Sequence, residues 1–478
     1  MTIGELSDEV LLNTFCYYLD GSPRLWPRLV HICRRWRRVI FTARRILHLR
    51  LFCTHGTPVL KYLDCWPTIP IVIQYGGSSE LVPLAPEDEE NILAALNQSD
   101  RISSIHLTVT NLLLEKLSAV ERPVPNLEDL ALLTQDSLQQ TLPNHTFGWG
   151  TRLRRLHLTR IAYFALPQLL YSSKNIVDLQ LHEVLSPWLS SPESLTDALS
   201  GMAQLQSLSL HFLPTTDHIG ISLPSRKRVV LPALNRFDFR GAIEYLEDLV
   251  AGIDVPYLGD IQVTFLSKTI SNFSKLREFV DRIVMHKAPH RVDILSSEHA
   301  ISISLMQPEV STCLKLQLFC VPLAGQVSSI NQICIQFSAL LLDVEDLHII
   351  STRQSSWHDS YYNEQWLKLL GSFTGVKWFH VSRNLSTDIV RALNEAEGHT
   401  TVLPAMHKLY ILQIGPRRAP LSEAAVSFMT SRRLSGHPIA VEYERQCYFN
   451  ELCGEGTTSA KCHHLSLTRL EQNLFRHR

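Results

Sequence analysis

The chain of 478 residues is first informative for what it lacks. It contains no apolar run of the roughly 18 residues that a membrane-spanning helix requires. Its first residues also do not form a charged segment followed by an apolar stretch and a small-residue cleavage site. We therefore expect an intracellular protein, in the cytoplasm, the nucleus or both, with no membrane partner.

A net charge of either sign is also missing. The 45 Lys and Arg residues balance 46 Asp and Glu residues, so the formal net charge is −1 and gives no general attraction for nucleic acid. Arginine is nevertheless concentrated near the N-terminus, with nine between residues 24 and 50. Two interpretations stay open, a solvated helix surface or complementarity to an acidic protein. Base-stacking aromatic residues are not interleaved with these arginines, so we predict no nucleic-acid partner.

The motifs of common enzyme classes do not occur in the sequence. There is no glycine-rich phosphate loop after a strand, no nucleophile elbow and no His-Glu-x-x-His pair. We predict that the protein is not an enzyme and uses no cofactor. A C-terminal group of cysteines and histidines lacks the close pairs of structural zinc sites, so we also predict no metal site. Its members are Cys447, Cys453, Cys462, His463 and His464.

The strongest positive signal lies in the first fifty residues. Apolar residues recur every three or four positions at Leu11, Phe15 and Tyr18 to Leu19, which predicts an amphipathic helix with these residues on one face. Ser7 is placed to cap its start, and the two acidic residues that follow suit the first turn.

A second helix is predicted over residues 26–40, with Pro27 in its first turn. Its apolar spacing is set by Trp26, Leu29, Cys33, Trp36 and Ile40. Two helices of this size bury too little surface to offset the entropy of ordering the chain, so we expect the pair to pack against another surface.

Together these segments resemble an F-box, the motif that joins substrate receptors to the Skp-type adaptor of cullin-RING (SCF-type) ubiquitin ligases. The resemblance is carried by Leu6-Ser7-Asp8-Glu9-Val10-Leu11-Leu12, Phe15, Leu19, Trp26, Leu29, Val30, Cys33 and Arg35-Trp36-Arg37. Ser7 stands where the family usually has proline. The resemblance implies a non-catalytic substrate-receptor subunit that docks the adaptor through this module. The residues implied to contact the adaptor are Leu6, Val10, Leu11, Phe15, Leu19, Leu29, Val30, Cys33 and Trp36.

The remainder of the chain contains a weak repeat. In each copy an apolar residue is followed by two others at +3 and +5, and the first seven copies begin 23 to 29 residues apart, a period typical of leucine-rich repeats. Because the +3 and +5 residues share one face of a strand, each copy predicts a strand with one buried face. The copies begin at Ile102, Leu127, Leu153, Ile176, Leu205, Leu234 and Leu258 and, more loosely, at Ile330, Val376 and Met406.

Segments between the copies predict return helices, most clearly over 86–96 and 388–393. The whole pattern is similar to fungal F-box proteins with degenerate leucine-rich repeats. We therefore predict an α/β fold with an all-α F-box-like module over 1–45, a solenoid of parallel strands and helices in an arc over 46–415, and a C-terminal cap or tail over 416–478. A non-repeating α/β domain with buried strands is the alternative.

The residue between +3 and +5 points away from the core, and this position predicts a surface that binds a target protein. Its predicted target-binding members are His106, His157, Gln180, Asp238, Gln262 and His380. Ala131, Ser209 and Cys334 occupy the same repeat position. A second functional hypothesis stays open, in which the protein is a non-catalytic scaffold and its N-terminal helices only cap the solenoid.

Overall fold

The computed structural model describes residues 6–445 except for several short segments. The omitted positions are 21, 56, 58, 64–65, 67, 77–83, 119–122, 135–140, 143–151, 185, 187–188, 190, 214–227, 267–272, 284–288, 299, 308–309, 320–322, 353–360, 397–401 and 414–421. The fold is mixed α/β, and the chain divides into two compact units. The first is Met1–Val263 with Phe273–Val284, and the second is Thr264–Asn272 with Met285–Arg478.

The first unit is built on a sheet of short strands. Its strands are β1 (Leu51–Cys53), β2 (Ile71–Tyr75), β3 (Ile102–Val109), β4 (Asp129–Thr134), β5 (Thr141–Leu142), β6 (Arg155–Thr159), β7 (Ala162–Tyr163), β8 (Asp178–His182), β9 (Ser207–His211), β10 (Val229–Val230), β11 (Arg236–Gly241), β12 (Ile253–Asp254) and β13 (Asp260–Phe265). The sheet has the order β1-β2-β3-β4-β6-β8-β9-β11-β13, and its pairs from β1 to β11 are parallel. Strands β5 with β7 and β10 with β12 form separate two-stranded ladders.

Helices precede and connect these strands. They are α1 (Asp8–Asp20), α2 (Trp26–Val30), α3 (Arg34–Thr42), α4 (Leu60–Leu63), α5 (Pro86–Leu96), α6 (Asn111–Ser118), α7 (Leu166–Ser172), α8 (Pro192–Leu199), α9 (Ile243–Gly252) and α10 (Ser274–Arg282), with 3-10 turns at Pro23–Leu25 and Ser99–Arg101. Helix α5 confirms the prediction over 86–96, with Pro86 in its first turn. Ser7 Oγ accepts the Val10 N–H at 3.3 Å, so the predicted cap of α1 is confirmed too.

The second unit combines antiparallel and parallel pairing. Its strands are β14 (Arg291–Ser296), β15 (Ala300–Gln307), β16 (Val310–Phe319), β17 (Asp346–Ser351), β18 (Trp378–Ser382), β19 (Lys408–Gln413) and β20 (Ala440–Arg445). Its helices are α11 (Leu323–Gln336), α12 (Ser338–Leu341), α13 (Tyr361–Leu370), α14 (Arg383–Ala396) and α15 (Glu423–Leu434). The strand order is β16-β15-β14-β17-β18-β19-β20, with β15 antiparallel to both neighbours and the pairs from β14 through β20 parallel.

The first seven repeat copies each coincide with a strand, and the copies at Val376 and Met406 coincide with β18 and β19. The strand register aligns the +5 residues side by side and buries them. That buried row is Leu107, Leu132, Leu158, Leu181, Leu210 and Phe239. The apolar +3 and +5 pattern therefore predicts both the strands and their pairing, because a register slip would expose the row.

A recurring backbone contact marks the entry to these strands. The Arg154 carbonyl accepts from the N–H groups of Val177 and Asp178 at 2.7 and 3.1 Å, and the Val177 carbonyl accepts from those of Gln206 and Ser207 at 2.8 and 3.1 Å. These backbone groups therefore satisfy one another at the start of each strand.

The repeat copy at Ile330 is wrong as a strand, since it lies within α11. Ile330 and Ile333 are buried, but the +5 residue Ile335 is 59% exposed. A spacing of three fits a helix as well as the repeat, and here the apolar contacts continue to Cys334 at the helical spacing of four. Cys334 is fully buried in this helix and does not lie on a target-facing strand.

The single helix predicted over 26–40 is also wrong, because α2 and α3 are separated at His31–Cys33. Cys33 has an extended backbone, with φ −156° and ψ 167°, and its sulfur accepts the Trp36 N–H at 3.5 Å. Cys33 is thus the N-cap of α3 rather than an interior helix residue. Across the described residues, the helices are all too short or too polar to cross a membrane.

Candidate functional site

The N-terminal module consists of α1, α2 and α3 packed around one apolar core. Leu11, Phe15 and Leu19 line the buried side of α1, as their spacing predicts. The Phe15 ring packs edge to face on Trp36 of α3, with centroids 4.8 Å apart. This contact joins the first and last helices of the module.

Polar contacts fix the same arrangement from outside the core. Arg35 of α3 pairs with Asp8 at 2.7 Å and also donates to the Leu6 carbonyl. Arg37 donates through Nε to the Val30 carbonyl at 3.1 Å, so it ties α3 to the end of α2. Arg35 and Arg37, two of the nine N-terminal arginines, therefore connect α3 to other parts of the module in addition to supplying charge.

The nine residues that the F-box resemblance assigns to adaptor contact occupy different environments in this structure. Buried within the module are Leu11, Phe15, Leu19, Leu29 and Val30; partly buried are Leu6 and Trp36; exposed are Val10 and Cys33. Further apolar surface on α1, which the resemblance does not assign, comes from Tyr17 and Tyr18.

We call Val10, Tyr17 and Tyr18 the α1 stripe. These residues recur at i, i+7 and i+8 and are 46%, 91% and 45% exposed. Large apolar side chains at such exposure on one side of a helix mark a surface on which another molecule could bury them.

The module is also joined to the β1 end of the first-unit sheet. Trp26 Nε1 donates to the Arg50 carbonyl at 2.7 Å, and Arg24 donates to Gln74 of β2 at 2.6 Å. Leu49 and Ile69, which flank β1 and β2, belong to the same buried cluster as the helices. The helices therefore cover this end of the sheet while the α1 stripe stays exposed.

The predicted target-binding residues of the first unit line up across the sheet. The register pairs His106 with Ala131, Ala131 with His157, and His157 with Gln180. The row continues through Ser209 to Asp238, and Gln262 lies on the next strand, β13. We call this row the polar face, together with the polar residues two positions before and after it on the same strands. These further members include Asp129, Arg155, Asp178, His182 and His211.

Carboxylates on the polar face are paired across strands. Asp129 Oδ2 lies 3.0 Å from His106 Nε2 and 2.7 Å from Arg155 Nη2. Burial alone would raise the pKa of Asp129, but these two neighbours outweigh it and hold the pKa below its usual value. In the same way Asp178 pairs with His157 at 3.0 Å, and its pKa is also lowered. The face therefore presents carboxylates paired with imidazole or guanidinium groups instead of a field of one sign.

Ser209, His211 and Asp238 lie together on this face, yet their geometry is not that of a catalytic triad. Asp238 accepts from Ser209 Oγ at 3.0 Å and lies 3.0 Å from His211 Nε2, the same ring nitrogen that approaches Ser209. A triad needs the serine and the carboxylate on opposite ring nitrogens. His182 completes the group, with its ring stacked on His211 at 3.9 Å and its Nε2 2.8 Å from Ser209 Oγ.

The partly buried His182 makes the stability of the protein depend on pH. Burial, and then the neighbouring His211, lower the pKa of His182 from 6.5 to about 4. The unfolded chain thus takes up this proton at higher pH than the folded chain. The contribution of neutral His182 to stability is therefore fully present above pH 6.5 and is lost as the pH falls towards 4.

Urea unfolding at a series of pH values across this range should show a loss on the order of 3 kcal/mol from His182. The variant His182→Gln should lose less stability over the same range. Parallel curves for the two proteins would contradict the assignment.

In the second unit the predicted residue His380 lies on β18, beside two residues that the sequence reasoning missed, Asp346 and His348 of β17. The rings of His348 and His380 are stacked with centroids 4.0 Å apart. Asp346 Oδ1 lies 3.0 Å from His348 Nε2 and 3.3 Å from His380 Nε2. The signal was present, since Leu347-His348-Ile349 and Phe379-His380-Val381 have the same apolar-His-apolar pattern. The Cys447 to His464 group lies outside the described residues.

Comparison of the chain with protein-family models and with curated proteins finds no match in either. The functional argument consequently depends on the geometry of the module and the polar face.

Proposed function

We propose that the protein is a substrate-receptor subunit of an SCF-type ubiquitin ligase, which docks a Skp-type adaptor through the N-terminal module. The observation that carries this proposal is the α1 stripe, an exposed apolar strip on a module whose own core is already complete. Burying an exposed apolar side chain of this size contributes ~1.5–3 kcal/mol, so a few such residues can support specific docking.

Exposed arginines of the same module support an acidic partner. Arg28, Arg34 and Arg38 are exposed, and of these Arg38 makes a 3.5 Å contact with Asp8. Exposed guanidinium groups accelerate encounter with a negatively charged protein and orient it before the apolar contacts form. An acidic Skp-type adaptor fits both the exposed apolar residues of the α1 stripe and the exposed arginines of the module.

The polar face would hold the target protein under this proposal. Its paired His, Asp and Arg side chains offer directed hydrogen bonds across several strands and suit a protein surface. Catalysis is not required of this chain, because tethering raises the effective concentration of target lysines near the ubiquitin-charged enzyme. The proposed place of action is the cytoplasm, the nucleus or both.

The test is co-expression of the full chain with a Skp-type adaptor, followed by co-purification. The double variant Val10→Arg with Tyr17→Arg places charge in the stripe without disturbing the buried core, and adaptor recovery should fall at least tenfold. Tyr257→Arg is the matched control, since Tyr257 is 70% exposed elsewhere in the first unit and should leave recovery unchanged. Undiminished recovery with the double variant, or no recovery with the wild type, would refute the proposal.

The capping hypothesis has its own supporting observation, the core that the helices share with Leu49 and Ile69. If the helices act only as a cap, deletion of residues 1–45 should expose this cluster and cause aggregation, while the wild type recovers no adaptor. The two hypotheses therefore differ in the wild-type co-purification, not in the stability of the deletion variant.

A further inference from the structure

The second-unit sheet carries a cluster of metal-ligand side chains that plays no part in the proposed adaptor docking. Asp346 and His348 of β17 and His380 of β18 each offer one ligand atom, and the three atoms lie within 4.8 Å of one another. Among the described residues, this is the one group of three such side chains whose ligand atoms lie so close together. We propose that these three side chains bind a divalent first-row transition cation.

The distances suit a single coordination sphere. Asp346 Oδ1 lies 3.0 Å from His348 Nε2 and 3.3 Å from His380 Nε2. Ligands placed about 2.1 Å from a metal and at right angles to each other are about 3 Å apart. The Asp346 and His348 atoms are both buried, and neither makes a hydrogen bond of acceptable geometry with a described residue. Among the described residues, no hydrogen-bond partner outside the cluster therefore competes for these two atoms.

The ligand types select the class of cation. Two imidazoles and one carboxylate suit Zn²⁺, Fe²⁺, Ni²⁺ or Cu²⁺, whereas Mg²⁺ and Ca²⁺ prefer oxygen ligands. Three protein ligands also leave coordination positions open, as in exchangeable zinc sites and unlike closed structural ones. The three side chains are 11–19% exposed, so a water molecule or a small ligand can reach the open positions.

A carboxylate is placed to orient one of the ligands. His380 Nδ1 lies 3.0 Å from Glu444 Oε2 of β20, so the ring can donate there while Nε2 stays free for a metal. Metal-binding histidines commonly donate their second nitrogen to a carboxylate in this way.

Two features would adjust when a cation binds. The rings of His348 and His380 are nearly parallel, at 14°, and must tilt because a metal lies in the plane of each imidazole that it binds. Arg291 Nη2 lies 3.4 Å from His348 Nδ1 and would have to withdraw when that nitrogen carries the proton. Arg291 is already held by Asp293 at 2.7 and 3.1 Å, so this pair is neutral and can release the weaker contact.

The test is calorimetric titration of the chelator-treated full chain with zinc chloride, together with the absorption spectrum after addition of Co²⁺. The wild type should bind one more equivalent than His380→Gln, and the cobalt spectrum assigned to that equivalent should lack a thiolate charge-transfer band. Glu444→Gln removes an exposed orienting group, and it should weaken the site about 10- to 100-fold while leaving the fold intact.

His182→Gln is the matched control, because His182 belongs to the stacked pair of the first unit, whose ligand atoms and those of Asp238 do not all lie within 4.8 Å of one another. It should retain the equivalent that His380→Gln loses. Equal binding by the wild type, His380→Gln and Glu444→Gln would overturn the proposal, as would a cobalt spectrum dominated by thiolate ligation. The Glu444→Gln result keeps the test decisive if His380→Gln folds poorly.

Discussion

Substituting Phe15 by alanine should destabilise the first unit by about 3–5 kcal/mol, the usual cost of removing a buried phenylalanine ring from a core. Phe15 is 1% exposed, and its ring contacts Trp36, so the substitution opens a cavity between α1 and α3. Urea unfolding followed by tryptophan fluorescence would measure the loss, because Trp26 and Trp36 lie in the affected cluster.

The matched control is Tyr17→Ala, on the same helix two residues away. Tyr17 is 91% exposed, so its removal should change stability by no more than about 0.5 kcal/mol. A loss below about 1 kcal/mol for Phe15→Ala would mean that the helices are not packed as described. The comparison also explains why adaptor docking is tested at the α1 stripe: a buried-core variant would lose docking by unfolding, whatever the module binds.

Asp293→Ala should produce a comparable loss in the second unit, about 3–5 kcal/mol. Asp293 is fully buried, and its two carboxylate oxygens accept from Arg291 at 2.7 and 3.1 Å. Removal of the carboxylate leaves a largely buried guanidinium without its ion-pair partner, and that desolvated charge dominates the cost. Thermal and urea unfolding would both report the change.

Glu364→Ala supplies the contrast for this prediction. Glu364 also pairs with a cation, Lys368 at 2.7 Å one helical turn away, but both side chains are more than half exposed. Its loss should cost no more than about 0.5 kcal/mol, since solvent screens an exposed pair. Similar losses for Asp293→Ala and Glu364→Ala would show that the Arg291–Asp293 pair is not buried.

Asp293→Ala also releases Arg291, whose charge acts on Asp346. The substitution should therefore weaken zinc binding at the proposed metal site.

Part of the fold could be predicted from the chain because its signal is local. The strands from β3 to β13 of the first-unit sheet follow the +3 and +5 spacing, and α5 follows its proline and its apolar period. Strands β15 and β16 were missed, because β15 pairs antiparallel with both of its neighbours, β14 and β16, and such pairs do not need the repeat spacing. The Ile330 copy failed for the reverse reason, since its spacing of three suits a helix as well.

Of the two candidate sites, one could be predicted from the sequence and the other could not. The row from His106 to Asp238 was predictable, because strand alternation and a constant repeat position fix which residues align. The pairing of Asp346 with His380, 34 positions apart, depends on which strands become neighbours, and no local spacing encodes that.

The sequence by itself determined the amphipathic helix α1, most of the parallel strands of the first unit and the side of the sheet that each strand residue faces, because backbone periodicity fixes these locally. Tertiary structure decided which apolar residues of the N-terminal module remain exposed. The spacing places Tyr18 and Leu19 on one face of α1, and only the packing of the module buries Leu19 and leaves Tyr18 45% exposed. It also brought Asp346, His348 and His380 together, because proximity between strands is set by sheet order and not by distance along the chain.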